Sequence, residues 1–197
     1  EGWEIELAVK ELVARPQNSR EQDDPDAAIQ IYGSSPEIQA VLKIVNQVSP
    51  REDPITIFGE AGSGKRLIGS MIHRSSGRRN GRFISLSCSG LSEAVIDREL
   101  FGGRNPRDRS EGSSIAGCLQ LCDRGTLLLD EIGHLPRRTQ ERLLKFLTRQ
   151  IFQDGTGEAR PVDTRIIGTT SQNMEEAVRA GRFDNKLFDH LQSIHIS

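Results

Sequence analysis

Apolar positions along this chain switch between two spacings from about residue 29 onward. Residues 55–58 (Ile-Thr-Ile-Phe) and 126–131 (Thr-Leu-Leu-Leu-Asp-Glu) are short, largely apolar runs, and the second is nearly continuous, as in strands buried on both faces. Between such runs, apolar residues recur at helical spacing, as at Val41, Leu42 and Val45. Strands that alternate with helices in this way predict an α/β domain with a parallel sheet and helices on both faces.

The same reading assigns elements to most of the remaining chain. Further strands are predicted at residues 82–88, 162–170 and 193–196, and further helices at residues 92–100, 115–122, 136–147, 174–180 and 183–191. Residues 102–114 have no apolar periodicity and are predicted to form an exposed loop. Residues 3–13 are compatible with a short amphipathic helix, and the acidic, proline-containing residues 17–26 with a linker. We therefore expect the globular domain to span residues 29–197.

The turn after the strand at residues 55–58 carries the strongest chemical signal. Its glycines allow successive backbone N–H groups to point at one anion, at the N-terminus of the following helix. Lys65 adds a cation for the outer phosphates and completes the phosphate-loop motif Gly-x-x-x-x-Gly-Lys. Arg66 stands where the motif normally has the Ser or Thr that helps to hold Mg²⁺. The residues predicted to bind ATP or ADP are Gly59, Glu60, Ala61, Gly62, Ser63, Gly64, Lys65 and Arg66.

Two adjacent carboxylates end the apolar run at residues 126–131. In phosphate-loop proteins an acid at this place holds Mg²⁺ through water, and its neighbour polarises the attacking water. We therefore predict that Asp130 contacts the nucleotide site and its Mg²⁺, and that Asp130 and Glu131 are the catalytic pair. The alternative is a strand end that has simply reached solvent.

Composition narrows the class of protein. The net charge of −2 argues against a dedicated nucleic-acid domain, which usually carries a basic face. We find no apolar run near the ~20 residues of a membrane span and no secretory leader, and so expect a cytoplasmic protein without a membrane partner. Cys88, Cys118 and Cys122 lack metal-ligand spacing and are interpreted as reduced thiols, the last two as core residues on one helix face.

Several motifs, taken in order and at their spacing, are similar to those of a known family. They are Gly33-Ser-Ser-Pro36, Gly59-Glu-Ala-Gly-Ser-Gly-Lys65, Glu99-Leu-Phe-Gly102, Gly125-Thr-Leu-Leu-Leu-Asp-Glu-Ile132, Arg165-Ile-Ile167 and Glu176-Ala-Val-Arg-Ala-Gly-Arg-Phe183. Over residues 29–197 the chain resembles the central AAA+ domain of bacterial enhancer-binding proteins, the activators of sigma-54 RNA polymerase. The resemblance implies a P-loop AAA+ three-layer sandwich with a mainly parallel five-stranded sheet.

The resemblance also implies partners and domain organisation. Members are ATPases that associate into rings, bind ATP with Mg²⁺ beside an arginine from the neighbouring subunit, and act on RNA polymerase. Residues 1–28 would correspond to the end of a regulatory domain and a linker. The helical lid and the C-terminal domain that contacts DNA are not expected within this chain.

Four slots depart from the family pattern. The position of the sigma-contacting hexapeptide Gly-Ala-Phe-Thr-Gly-Ala reads Pro-Arg-Asp-Arg-Ser-Glu, at residues 106–111. The two positions of the neighbour-reaching arginines hold Asp184 and His190. The family's asparagine that partners the catalytic glutamate falls at Ser87, and its sensor asparagine falls at Ser171. Because the binding residues remain, we predict nucleotide binding with weak or absent turnover, and no remodelling of sigma-54 polymerase by the usual loop.

Two alternatives stay open from the sequence. One is a ring-forming ATPase that still activates sigma-54 polymerase and uses Arg182 or Lys186 as a displaced finger, so that ATP hydrolysis is not decided. The other is a receptor for a cyclic dinucleotide that contacts the basic stretch of residues 73–82, for which a solvated turn is the favoured interpretation.

Overall fold

The computed structural model describes residues 36–104, 114–149, 151–153, 159–191 and 195–196. The helices are α1 (Pro36–Val48), α2 (Lys65–Arg74), α3 (Glu93–Phe101), α4 (Cys118–Leu121), α5 (Arg137–Arg149), α6 (Met174–Arg179) and α7 (Asn185–Leu191), with a 3-10 turn at Ile132–His134. The strands are β1 (Ile55–Phe58), β2 (Phe83–Ser87), β3 (Gly103–Arg104), β4 (Ser114–Ile115), β5 (Thr126–Asp130), β6 (Ile151–Gln153), β7 (Ala159–Pro161), β8 (Arg165–Thr170) and β9 (His195–Ile196).

The main sheet of the described chain has five strands in the order β2-β5-β8-β1-β9. Every neighbouring pair is parallel, with registers such as Ile55 opposite Ile167 and Ser87 opposite Asp130. Strands β5 and β8 lie inside the sheet, which is why their sequences are nearly all buried. This confirms the predicted α/β fold with a parallel sheet. It also brings the carboxyl ends of β1, β2, β5 and β8 to one edge.

Helices cover both faces of this sheet. Leu128 and Ile167 face a core cluster shared with α1 and α2, whereas Leu127, Leu129 and Ile166 face a second cluster shared with α3 to α7. Successive residues of a strand point to opposite faces, so a continuous apolar run serves both layers. The predicted three-layer arrangement is therefore confirmed.

The predictions for residues 102–114 and 115–122 are wrong in part. Gly103–Arg104 pairs antiparallel with Ser114–Ile115, so both ends of the expected loop are strands, and helix α4 begins only at Cys118. Two glycines permit this close crossing, because a Cβ on Gly102 would lie 2.1 Å from the Ile115 carbonyl oxygen and one on Gly117 2.4 Å from the Leu100 carbonyl oxygen. Backbone crossings leave no apolar period, so the pattern could not indicate them.

The structure adds the inward face of helix α5 and one further strand pair. In helix α5 the inward residues are Leu143 and Phe146, while Leu144 and Leu147 are only partly buried. The antiparallel pair of Ile151–Gln153 with Ala159–Pro161 was not predicted. The expected helix at residues 3–13 and linker at residues 17–26 lie outside the described residues. Among the described helices, none combines the length and the apolar character that a membrane crossing needs.

Candidate functional site

The loop between β1 and α2 has the conformation that the glycine spacing predicts. Gly62 and Gly64 have φ angles of 82° and 83°, in the left-handed region that favours glycine. Gly59 follows the end of β1, and a Cβ there would lie 2.7 Å from the Ser63 hydroxyl oxygen. Helix α2 then begins at Lys65, so its first N–H groups face the space that the loop encloses.

Lys65 contacts both the loop and the end of strand β5. Its side chain is only 6% exposed, and Nζ donates to the carbonyl oxygens of Gly59 and Glu60, both at 2.8 Å. The same Nζ lies 3.4 Å from Oε1 of Glu131, which comes from the end of strand β5. The structure thus brings the predicted loop lysine and the predicted glutamate together.

Asp130 is held from the neighbouring strand. The Thr169 hydroxyl donates to Oδ1 of Asp130 at 2.5 Å, and the same hydroxyl oxygen accepts from the N–H of Glu131 at 3.2 Å. Thr169 belongs to β8, which pairs in parallel with β5. One side chain therefore fixes both the carboxylate of Asp130 and the turn that follows it.

Glu131 is fixed at both carboxylate oxygens. Its backbone is in the left-handed region (φ 56°, ψ 53°), which turns the side chain back toward the loop. Oε2 accepts from the backbone N–H and from the hydroxyl of Ser171, each at 2.9 Å. Burial raises the pKa of Glu131, but the two Ser171 donors and Lys65 outweigh it and bring the pKa below its ordinary value.

Ser87 and Cys88 lie beside the acidic pair at the end of β2. Ser87 is opposite Asp130 in the sheet, yet its hydroxyl bonds to that of Ser89 at 3.3 Å. Cys88 is buried, and desolvation together with the charges of Asp130 and Glu131 raises the pKa of its thiol to about 12. The thiol is therefore neutral and inert as a nucleophile.

Comparisons with known proteins identify the family of this chain. A sequence model described as the sigma-54 interaction domain matches residues 31–197. The chain belongs to this family. The resemblance of the sequence to the AAA+ domain of sigma-54 activators is thereby confirmed.

Two relatives illustrate the family. The sigma-54-dependent transcriptional regulator SfnR of Pseudomonas fluorescens is 37% identical over 171 residues, which cover 86% of this chain and 46% of SfnR. The Nif-specific regulatory protein of Rhodobacter capsulatus is 35% identical over 187 residues, which cover 93% of this chain and 32% of that protein. This chain thus spans less than half the length of these curated relatives.

Solved structures of NtrX from Brucella abortus share the fold. One matches with a TM-score of 0.78 and 32% identity over 84% of this chain and 37% of NtrX. The NtrX complex with ADP matches with a TM-score of 0.76 and 31% identity, over 85% of this chain and 36% of NtrX. A third NtrX structure, in complex with ATP, also has a TM-score of 0.76, with 32% identity over the same two shares.

Within this sigma-54 interaction domain, one of the two finger slots, Asp184, has a structural role. Asp184 precedes helix α7, where Oδ1 accepts from the N–H of Leu187 at 3.1 Å and Oδ2 from Arg137 at 3.1 Å. It is therefore the N-cap of the helix. Arg182, Lys186 and His190 are exposed. The hexapeptide slot at residues 106–111 lies outside the described residues.

Two side chains of the basic stretch, Arg78 and His73, make internal contacts. Arg78 pairs with Glu52 and with Asp163, at 2.5 Å and 2.6 Å. His73 is buried, and its Nδ1 lies 2.9 Å from the Thr126 hydroxyl. These contacts favour the structural interpretation of the stretch over a receptor for cyclic dinucleotides.

Asp130 and position 66 are the places where the family pattern would provide for Mg²⁺. The described residues contain no group of three or more His, Cys, Asp or Glu side chains placed around one point. Asp130 is half-buried at the end of β5 and fits a role through water, whereas Arg66 is exposed and offers no hydroxyl. Sequence reasoning missed Thr169, because only the pairing of β8 with β5 places it beside Asp130.

Proposed function

We propose that this chain is the nucleotide-binding domain of a cytoplasmic bacterial transcription regulator, and that it binds ATP or ADP in the loop at residues 59–66. The observation that carries the proposal is the contact of Lys65, in that loop, with Glu131, which follows Asp130 at the end of strand β5. The NtrX complexes with ADP and ATP support it, since they share fold and family with this chain.

Each residue has a role that follows from its place. The glycine-rich loop and the first turn of α2 supply N–H donors for the phosphates, and Lys65 supplies the cation. Asp130, held by Thr169, would hold Mg²⁺ through water. When bound there, Mg²⁺ would neutralise part of the negative charge of the phosphates. Glu131 is placed to orient a water molecule once its own partners release it.

Turnover is proposed to be weak or absent. A guanidinium that reaches the transferring phosphoryl group typically accelerates hydrolysis ~10³–10⁵-fold. Asp184 carries the opposite charge and is engaged as a helix cap. Ser87, in the slot of the asparagine that partners the glutamate, bonds to Ser89 rather than to Glu131. The nucleotide then acts as a ligand that controls assembly into a dimer or ring.

The proposal extends to how the whole protein acts on RNA polymerase and DNA. The charged sequence at residues 106–111, which opens with proline, has none of the apolar character of the usual sigma-contacting loop. The regulator would therefore act on RNA polymerase without the usual remodelling step, and would contact DNA through a C-terminal domain outside this chain.

A second candidate is an active ring ATPase. Arg182 and Lys186 flank the helix cap and are exposed, so either could reach a neighbouring subunit. This alternative needs hydrolysis that depends on contact between subunits.

ATP turnover by the full-length protein separates the two. It is measured across a wide range of protein concentrations, with Lys65→Ala as the control. We expect no turnover above the Lys65→Ala background, together with ADP binding that the variant loses. Turnover that rises with concentration and disappears in the variant would instead establish the active ring. ADP binding that survives Lys65→Ala would overturn the nucleotide site itself.

A further inference from the structure

We propose that Glu131 is a built-in competitor for the phosphate-binding lysine: its carboxylate occupies Lys65, with Ser171 as the residue that holds it there, so that nucleotide must displace Glu131 in order to bind. The inference rests on the proposed nucleotide site and adds that Glu131 lowers the affinity of this site for nucleotide.

The donors of Lys65 are already used. An ammonium group has three N–H donors. Two are directed at the carbonyl oxygens of Gly59 and Glu60 at 2.8 Å, and Oε1 of Glu131 is the charged partner at 3.4 Å. A phosphate oxygen that approaches Nζ must therefore replace one of these acceptors. The two carbonyls belong to the loop itself, so Glu131 is the partner that can leave.

Glu131 is not a mobile side chain that meets Lys65 by chance. Oε2 accepts two hydrogen bonds from Ser171, both at 2.9 Å, and the side chain is only 16% exposed. The backbone N–H of Glu131 donates to Thr169, which ties the residue to strand β8. These contacts, all within the protein, hold Oε1 toward the loop.

The carboxylate of Glu131 takes the place beside Lys65 that a nucleotide phosphate would take. A carboxylate and a phosphate oxygen offer Lys65 the same kind of charge-assisted hydrogen bond. Because Lys65 is nearly buried, this pair is less screened than an exposed one. The charge of Lys65 is therefore balanced by Glu131, and incoming phosphate gains only the difference between two anionic partners.

The arrangement differs from the family pattern described above. The asparagine slot that partners the glutamate in relatives is Ser87, whose hydroxyl bonds to Ser89. Ser171, in the sensor slot, instead holds Glu131 through both its main chain and its side chain. Nucleotide binding in the loop would thus change the contacts of Ser171, which lies just before helix α6 begins at Met174.

ADP binding to the full-length protein in EDTA tests the inference by calorimetry. ADP without Mg²⁺ removes hydrolysis and metal ligation from the measurement. We expect Glu131→Gln to bind ADP more tightly than the wild type, by roughly fivefold or more, the usual range for coupled sites. Ser171→Ala, which loses one of the two bonds to Oε2, should shift affinity in the same direction by less.

Glu131→Asp is the matched control for general electrostatics. It keeps the negative charge at the site but withdraws the carboxylate from Lys65 by one methylene group. The proposal expects tighter ADP binding for this variant too, whereas a purely electrostatic effect leaves it at the wild-type value. A damaged fold would weaken binding, so a gain in affinity cannot come from misfolding.

The outcomes separate this inference from the proposed function. Loss of ADP binding in Lys65→Ala, with unchanged affinity in both Glu131 variants, would overturn the competition and leave the nucleotide site intact. Unchanged binding in Lys65→Ala would overturn both. Tighter binding in Glu131→Gln and Glu131→Asp, lost when either is combined with Lys65→Ala, supports the competition.

Discussion

The buried guanidinium of Arg165 donates from Nη2 to the carbonyl oxygen of Val48 at 2.9 Å, which joins the first residue of β8 to the last residue of α1. Nη1 donates to the next carbonyl, that of Ser49, at the same distance. A helix leaves its last carbonyls without partners, and a cation at that end also complements the helix dipole. Arg165 therefore fastens the helix that covers β1, and with it the strand that carries the phosphate loop.

Replacing Arg165 should lower stability markedly. The side chain is 2% exposed, so Arg165→Ala removes a donor from each of two buried carbonyls and leaves a cavity beside them. The Val48 carbonyl still accepts from the N–H of Arg51 at 3.1 Å, so the Ser49 carbonyl bears most of the loss. We expect the free energy of unfolding to fall by about 2–4 kcal/mol, measured by urea denaturation. Arg165→Lys keeps the charge but cannot reach both carbonyls, so its free energy of unfolding should lie between those of the wild type and Arg165→Ala.

The matched control for that prediction is Arg160→Ala. Arg160 is exposed on strand β7, so its removal should change the free energy of unfolding by less than about 0.5 kcal/mol. Equal effects of the two alanine variants would contradict the role assigned to Arg165.

The helix cap at Asp184 gives a second prediction. Its Oδ1 accepts from the N–H of Leu187 and its Oδ2 from Arg137, each at 3.1 Å. Asp184→Ala should lower the free energy of unfolding by about 1 kcal/mol, the usual cost of losing an N-cap. Asp184→Asn keeps an acceptor and should lose less than half of that, by thermal or urea unfolding. An Asp184→Ala protein as stable as the wild type would remove the structural explanation for the aspartate in a finger slot.

The third prediction concerns pH and His73. Desolvation, helped by the charge of Arg74, lowers the pKa of His73 in the folded chain below its ordinary value of 6.5. The unfolded chain therefore binds a proton at a higher pH than the native chain does. The contribution of neutral His73 to stability is complete above about pH 6.5 and is lost as the pH falls through the folded pKa.

Urea midpoints at pH 7.5 and pH 5.5 measure this contribution. The wild type should lose more stability between these two values than His73→Gln, which has no proton to bind there. His73→Gln also loses the tilted ring contact with Phe83, so it should be less stable at both values, and the comparison rests on the difference between them. Parallel losses in the two proteins would show that His73 does not titrate in this window.

The local structure of the candidate site could be predicted from the sequence because it depends on the spacing of neighbouring residues. The glycines at 59, 62 and 64 fix a turn within six residues, and the helix that begins at Lys65 follows directly. The acidic pair ends an apolar run, which predicts that both carboxylates lie at the end of a strand. These signals involve neighbours along the chain, and the structure has a strand, a loop and a helix in those places.

The partners of those residues could not be predicted in the same way. Thr169 and Ser171 lie about 40 residues from Asp130 and Glu131, and only the parallel register of β8 beside β5 brings them into contact. The sequence indicated Ser171 as a short substitute for asparagine, which left its two bonds to Glu131 unforeseen. The pairing of Gly103–Arg104 with Ser114–Ile115 was missed for a related reason, since it depends on close backbone approach.

The amino-acid sequence alone determined the fold class, the position of the phosphate loop and the acidic pair, because periodicity and glycine spacing act over a few residues. Only the tertiary structure decided that Lys65 meets Glu131 and that Ser171 holds it. Hydrogen bonds of this kind join atoms a few ångströms apart whose residues are distant in the chain. Their geometry is set by strand register and helix packing, which no local pattern records.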